Sequence, residues 1–518
     1  MTKRILILGA GFMQGVAIRT AKAKGWRVVA VDGNPSAPCR DMADDFEPID
    51  LKDVRALVRF ARRLKESGGL DGVMTAATDF SASVAAIAEA CGLPGHSLEA
   101  ATNASDKIRM RERFAEAGIP SPAFAGLNAG DIPIARGIIS ARGISFPVVV
   151  KPCDNMGARG CRRVDDVSSL DAALSDAVRY SRTGRVIVEE YMDGPEFSFE
   201  ALVFDGRFVM TGMADRHIRF PPYFIEMGHT IPSRFPPGEL SALERVFREA
   251  TRALGLSHGV AKGDLKLTGR GPMVGEIAGR MSGGYMSGWT FPYSSGIDLT
   301  AAALDLAVGD RPVALDGGVR AFCAERAWIS IPGVVSELAG LEEARDLPGV
   351  RDVFPRALAG DRVTFPRNNV EKCGNVLAVA DDYETASRIA ESACQSVFLR
   401  LAPRDPETDS FMNTYSGDSF PPSAFAFDSS RLEGRYAWKA ANVAGRELEV
   451  PLPLAGELDV LVDWQGRTLR MALEEVLSRE PGLHDALGAG GARSVQFWKA
   501  LLRGGIQGIV YTYDCNRP

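Results

Sequence analysis

The sequence is poor in the residues that build metal clusters and redox pairs. Five histidines and eight cysteines are spread over 518 residues, and the cysteines, at 39, 91, 153, 161, 323, 373, 394 and 515, form no CxxC pair. Zinc-ribbon and thioredoxin-like chemistry are thereby excluded, and the thiols read as reduced side chains of a cytoplasmic protein. Neither charge dominates: the net charge is −6 and the pI about 5.7. A general nucleic-acid or anionic-membrane binder carries a basic excess, so neither partner is expected. No stretch approaches the roughly 20 apolar residues of a membrane span. The opening MTKRILILGAG is basic and then apolar, as a leader would be, but it runs into a glycine turn instead of a cleavage site. Internal repeats and low-complexity tracts are also missing. What remains is ordinary globular composition, 46% hydrophobic and 24% charged, with length for about three to five domains.

The N-terminal segment alternates strand and helix. Residues 4–8 form an apolar strand, 9–15 a glycine turn, 16–24 a helix, and 26–31 a second strand ending at Asp32. A strand at 72–74 and a helix at 81–91 continue the pattern, so residues 1–103 read as a doubly wound α/β domain. A helix over 104–117 takes Ser105 as its N-cap and ends in Gly118-Ile-Pro120. From residue 146 the texture becomes α+β. Short strands at 148–151, 186–190, 197–204 and 208–213 carry β-branched and aromatic residues. A Pro- and Gly-rich loop is predicted over 219–237, then a helix over 241–254. Strands at 263–267 and 273–277 follow, joined by a turn at 268–272, and then a helix at 297–307. The expected divisions are 104–317, including a lid over about 146–205, a mixed unit over 318–403 with a helix at 383–397, and an extra α+β domain over 404–518. Residues 401–422 read as a linker. In the last domain, 448–452 and 458–462 look like strands and 470–478 and 495–503 like helices. Trp438, Trp464 and Trp498 are core candidates, while Arg435, Lys439 and Arg493 read as solvated charges.

Four groups of residues carry chemistry. The turn Gly9-Ala-Gly-Phe-Met-Gln-Gly15 with Asp32 suits a dinucleotide, or is simply a tight strand-to-helix turn. Lys107, at the start of its helix, and Lys151, ending an apolar strand, are point charges for phosphate or ordinary surface lysines; the loop at 154–160, with Gly157, is flexible enough to fold over polyphosphate. The run Glu189-Glu190-Tyr-Met192 sets backbone groups at an apolar wall, as an adenine ring requires, and Glu196 lies within reach of a ribose; alternatively this is a hairpin with exposed acids. Asp264 and Glu276 fall on neighbouring positions of the two strands around 268–272, facing one way, which suits Mg²⁺ bridging phosphates. Arg280 can stabilise an acyl phosphate, and Gly283 and Gly284 allow a substrate close to the backbone. Cys153 and Cys161 have no neighbouring histidine to activate them and read as inert.

Taken in order over residues 1 to about 400, these segments resemble the ATP-grasp superfamily and look closest to its carboxylate–amine ligases, the L-amino-acid ligases among them. Met213-Ala-Asp-Arg216-His217 and the run from Phe224 through Glu226 and His229 to Ser233 resemble the substrate region of those enzymes, and 320–400 their C-terminal subdomain. The resemblance implies an ATP-grasp fold with an N-terminal pre-ATP-grasp domain. It implies ATP with Mg²⁺, or Mn²⁺ in its place. Lys107 and Lys151 would hold phosphates beneath the Gly157 loop. Glu189 would meet the adenine amino group, with Glu190 and the Met192 backbone at the ring and Glu196 on the ribose. Asp264 and Glu276 would ligate the metal and Arg280 would face the acyl phosphate. His217 and His229 would position the amine or take its proton, and Arg216, Glu226, Gly283 and Gly284 would line the substrate region. Two positions depart from the family pattern: Ala278 replaces a metal-ligating Asn, and Asp264 a Glu, which weakens the case for a second metal. The implied reaction joins a small-molecule carboxylate to an amine through an acyl phosphate, releasing ADP and phosphate, with a homodimer as the default assembly. The readings set against it are a non-catalytic nucleotide-binding protein and a nicotinamide-dependent oxidoreductase built on the N-terminal glycine turn.

Overall fold

The computed structural model describes residues 2–313, 315–414, 420–433, 437–443, 445–488 and 490–517. The chain divides into two compact units. The first takes in 1–219, 228–324 and 379–386; the second takes in 220–227, 325–378 and 387–518.

The first unit opens with a parallel four-stranded sheet in the order Asp45–Glu47, Arg27–Val31, Arg4–Leu8, Gly72–Thr75. Its strands are apolar on both faces because helices cover both. Ile5 and Ile7 pack in one cluster with Ala17 and Ile18, while Leu6 and Leu8 pack in another with Leu57 and Ala61. A second, antiparallel sheet follows in the order Phe124–Asn128, Arg185–Glu190, Val148–Pro152, Arg162–Val164, backed by the helix Leu170–Tyr180. The largest sheet, of eight strands, contains the antiparallel run Gly271–Ala278, Gly259–Thr268, Glu196–Phe204, Arg207–Arg219, Ile225–Ile231. Phe197, Phe199 and Ala201 point from one face of Glu196–Phe204 onto Phe247 and Ala250 of the helix Pro237–Ala253. The intervening residues Glu196, Ser198 and Glu200 therefore face the other way.

Within the second unit, Gly333–Ala339 lies between Arg362–Val363 and Phe398–Leu401. Residues beyond 404 build their own core around the helices Leu469–Arg479 and Gly491–Cys515 and the hairpin Trp438–Val443/Arg446–Pro451. Trp498 is fully buried there, and Trp438 and Trp464 pack half-buried against it. Lys439 and Arg493 are exposed, and Arg435 lies outside the described residues.

Several local expectations need correction. The helix predicted over 104–117 is two helices, Leu98–Ser105 and Lys107–Glu116. The break is at Asp106, whose carboxylate accepts from the Ile108 and Arg109 amides at 3.0 and 3.1 Å; the N-cap is thus Asp106, not Ser105. The loop predicted over 219–237 contains the strand Ile225–Ile231, since sheet pairing overrides the glycine and proline around it. The linker predicted over 401–422 contains the helix Pro406–Asn413, capped by Asp405. Residues 458–460 make a turn and Val462 only an isolated bridge, not the expected strand, and Val460 and Val462 are exposed. No helix among the described residues is long and apolar enough to cross a membrane.

Candidate nucleotide and ligation site

The polar face of the antiparallel array gathers most of the predicted residues. Asp264 pairs with Glu276 across the hairpin and with Ser198 on its other side; Lys262 pairs with Glu200 and with Ala278, and Lys266 with Glu196. Arg216 stands opposite Glu196. Alternate residues of four strands thus form one charged surface, Glu196 lying about 13 Å along its strand from Glu200.

The charges on this surface are paired. Arg216 bridges Glu196 and Asp264, reaching the latter at 3.1 Å. Lys262 also bonds Asp264, and Lys266 lies 3.5 Å from Glu196 and 3.2 Å from the Met192 carbonyl. Lys107 holds Glu276 at 3.0 Å and donates to the Asn155 carbonyl at 2.9 Å, which ties the Gly157 loop to the cleft. Desolvation in the cleft raises the Glu276 pKa, but Lys107 and Lys262 outweigh it and bring the group to about 2. Lys107 is desolvated too, yet Glu276 and Asp79 hold its pKa above the usual lysine value.

Lys151 and Glu189 meet at 2.6 Å, and Arg111 closes on the other Glu189 oxygen at 2.8 Å. Glu189 is 1% exposed. Burial opposes its charge, and the two cations together hold it below the normal carboxylate range. Its carboxylate is thus committed to anchoring Lys151. Arg111 also donates to the Gly275 carbonyl at 2.5 Å and so ties this sheet to the hairpin. Glu190 pairs with Arg270 at 2.8 Å at the surface, and the Met192 side chain is buried. In the loop, Gly157 and Gly160 both have φ of +69°; a Cβ on Gly160 would meet Tyr180 at 2.8 Å, so glycine is required there.

Arg280 is half-buried and donates to the Met281 carbonyl at 3.0 Å. Beside it, a Cβ on Gly283 would lie 3.2 Å from the Ala77 carbonyl, and Ala76 bridges Met281, so the loop after Gly72–Thr75 is stapled to the Arg280 turn. Gly284 follows in the same turn. That loop carries Asp79, which the sequence reading passed over. Burial raises its pKa against the pull of Arg280 and Lys107. His217 contacts the Thr230 hydroxyl at 3.2 Å and His229 that of Thr290 at 2.7 Å, the latter ring 2% exposed. Glu226 belongs to the second unit, where its amide donates to Asn369 and its carbonyl accepts from Lys372, each at 2.8 Å. Burial, with Asp106 as its hydrogen-bond partner, pushes the Cys153 thiol to about 12, and burial pushes Cys161 to about 11, so neither is a thiolate at neutral pH.

The donor set fits a hard divalent cation. Two carboxylates stand in register and one of them, Glu276, is 38% exposed to the cleft. Among the described residues no group of three or more His, Cys, Asp or Glu gathers to hold a metal. The rest of its shell would come from phosphate oxygens and water. The N-terminal glycine turn is filled instead. Gln14 occupies it, its carbonyl accepting from the Gly11 amide at 3.0 Å and its amide donating to Ala76. Asp32 accepts from the Ala10 and Asn34 amides at 2.9 and 2.8 Å.

Family models match the chain in three places: an ATP-grasp N-terminal domain over residues 18–95, an ATP-grasp domain over 144–288, and an L-amino acid ligase C-terminal domain 2 over 327–402. The chain is 28% identical over 414 residues to carnosine synthase 1 of Gallus gallus, a match that takes in 73% of this chain and 44% of that protein. It is 29% identical over 296 residues to a D-alanine--D-alanine ligase of Desulforudis audaxviator, covering 54% of this chain and 88% of the relative. The crystal structure of an L-amino acid ligase from Bacillus licheniformis superposes with a TM-score of 0.67 at 21% identity, over 77% of this chain and 99% of that one.

Proposed function

Since this chain is an ATP-grasp ligase, we propose that it joins a small carboxylate, an amino acid among the candidates, to an amine through an acyl phosphate, with ADP and phosphate as products. The observation that carries this reading is the single charged face on which Glu196, Asp264, Glu276, Lys107 and Arg216 converge. A carboxylate is a poor electrophile until its oxygen is phosphorylated, and phosphoryl transfer needs positioning and charge neutralisation more than covalent help. Mg²⁺ bound at Asp264 and Glu276 would supply part of that neutralisation.

The chain's own side chains supply the rest. Lys107 and Lys151 bring two ammonium groups to the phosphates, each prepositioned by a carboxylate. The Met192 backbone and Glu196 face adenine and ribose. Arg280 stabilises the acyl phosphate and the tetrahedral centre that follows when the amine attacks. The amine is assigned to His217 and His229, each bonded to a threonine hydroxyl. The filled glycine turn speaks against nicotinamide binding.

Mass-spectrometric analysis of nucleotide products, with Mg-ATP and pooled amino acids, tests this. ADP, phosphate and a new amide mass are expected. AMP with pyrophosphate would mean adenylation and overturn the acyl-phosphate route.

A further inference from the structure

The turn bearing Arg280 rests on one buried glutamate. Glu200 is 0% exposed and lies one alternate position deeper in the cleft than Ser198, opposite Lys262. One of its oxygens accepts from the Ser282 amide at 2.7 Å and from the Ser287 hydroxyl, so it grips both ends of the turn that follows Arg280. Across the same turn the Ser287 hydroxyl lies 3.4 Å from the Ser282 carbonyl. Within the turn Tyr285 holds φ of +64°, a conformation a non-glycine residue keeps only when its surroundings fix it.

A residue needed here only for packing would be apolar. The next two residues on this face, Leu202 and Phe204, are apolar and buried in the adjoining core. Burying a carboxylate is costly unless hydrogen bonds compensate, and the second Glu200 oxygen has no hydrogen-bond partner among the described residues. The gripped oxygen is therefore the reason for an acceptor side chain at this position.

We propose that Glu200 is a positioning residue of the ligation site, pinning the 280–287 turn so that Arg280 faces the acyl phosphate. The proposal rests on the role given to Arg280 above. It separates three variants of the full-length protein. E200A removes the acceptor altogether. E200Q keeps an acceptor oxygen for both donors. S287A removes one of the two bonds.

With each lost bond worth about tenfold, E200A should lower kcat about 100-fold while KM for ATP stays within about threefold. Amide exchange over 281–288 should rise at least about tenfold in the same variant, without comparable change elsewhere. E200Q should return both readouts to within about fivefold of the wild type, and S287A should fall between. The proposal is overturned if E200A exchanges like the wild type over 281–288, or if E200Q is as impaired as E200A. Should E200A fail to fold, an S287A protein with unchanged exchange and unchanged kcat overturns it equally. The exchange measurement needs no turnover. Absence of ADP release by the wild type would sink the ligase reading, and exchange alone would then decide the pinning.

Discussion

Two places in the first unit look, as sequence, like nucleotide sites, and they differ in what fills them. In the glycine turn at 9–15 the backbone amides are already answered from within. Gln14 occupies the hollow, and the Asp32 carboxylate bonds two backbone amides of its own domain. On the hairpin face, side chains answer one another instead, as Lys107 with Glu276 and Arg216 with Glu196 and Asp264. Such pairs exchange partners when a charged ligand arrives, whereas a side chain plugged into backbone amides must be expelled. A glycine-rich motif therefore says that a backbone can approach something, and only its neighbours decide whether that something is a ligand.

The contrast sharpens inside the cleft, between carboxylates that hold the architecture and those left open. Glu189 and Arg111 are each 2% exposed at the side chain. Removing Arg111 leaves the buried Glu189 charge to Lys151 alone, which costs about 2–3 kcal/mol, the worth of a hydrogen bond to a charged group. R111M should lower the unfolding free energy by that amount in urea titrations; a change below about 1 kcal/mol would mean the pair is hydrated. Glu276 is the opposite case, exposed to the cleft and held by one lysine at 3.0 Å. E276Q should keep its urea midpoint close to the wild type while ADP formation falls about 10²–10³-fold. Retained turnover would remove Glu276 from the metal site.

His96 stands behind the hairpin, where a Cβ on Gly259 or Gly279 would meet its ring at 3.1 or 3.3 Å. Its Nδ1 accepts from the Ser257 and His258 amides, so Nε2 carries the proton donated to the Val260 carbonyl. Burial pulls its pKa from 6.5 to about 4. A histidine with a depressed folded pKa stabilises fully above its unfolded value, and that stability is lost as pH falls from about 6.5 to about 4. The loss amounts to about 3 kcal/mol. Urea midpoints measured across that range should fall in the wild type and flatten in H96Q; parallel curves would assign the acid sensitivity to another group.

The pairing of Asp264 with Glu276 was legible because a short Gly-containing turn joins two strands of period two. The same period, in Glu-Phe-Ser-Phe-Glu and Lys-Gly-Asp-Leu-Lys, held the signal for Ser198, Glu200, Lys262 and Lys266, and reading the acids alone missed it. Arg111 sits one helical turn after Lys107 and was equally available from spacing. Asp79 was not, because it reaches Arg280 and Lys107 from a loop of the N-terminal domain, and only tertiary structure brings them together. The strand Ile225–Ile231 was obscured by its flanking prolines and its internal Gly228, while Leu458, Val460 and Val462 imitate a strand in a segment whose one ladder pair is the isolated bridge from Val462 to Thr468. Local pattern ranks these segments wrongly because pairing partners, not propensity, decide them.

The smallest expected effect tests the glycine turn itself. In D32N the amide keeps one oxygen able to accept from Ala10 or Asn34 but gives up the negative charge that strengthens both bonds. The turn should loosen by about 1–2 kcal/mol, since hydrogen bonds to a charged group are worth more than neutral ones. KM for ATP should stay within about twofold, because Asp32 spends both oxygens on its own backbone. NADH fluorescence should remain unquenched by either protein. If D32N instead raises KM for ATP tenfold while its melting temperature is unchanged, then the glycine turn is a ligand site after all, and its difference from the hairpin face disappears.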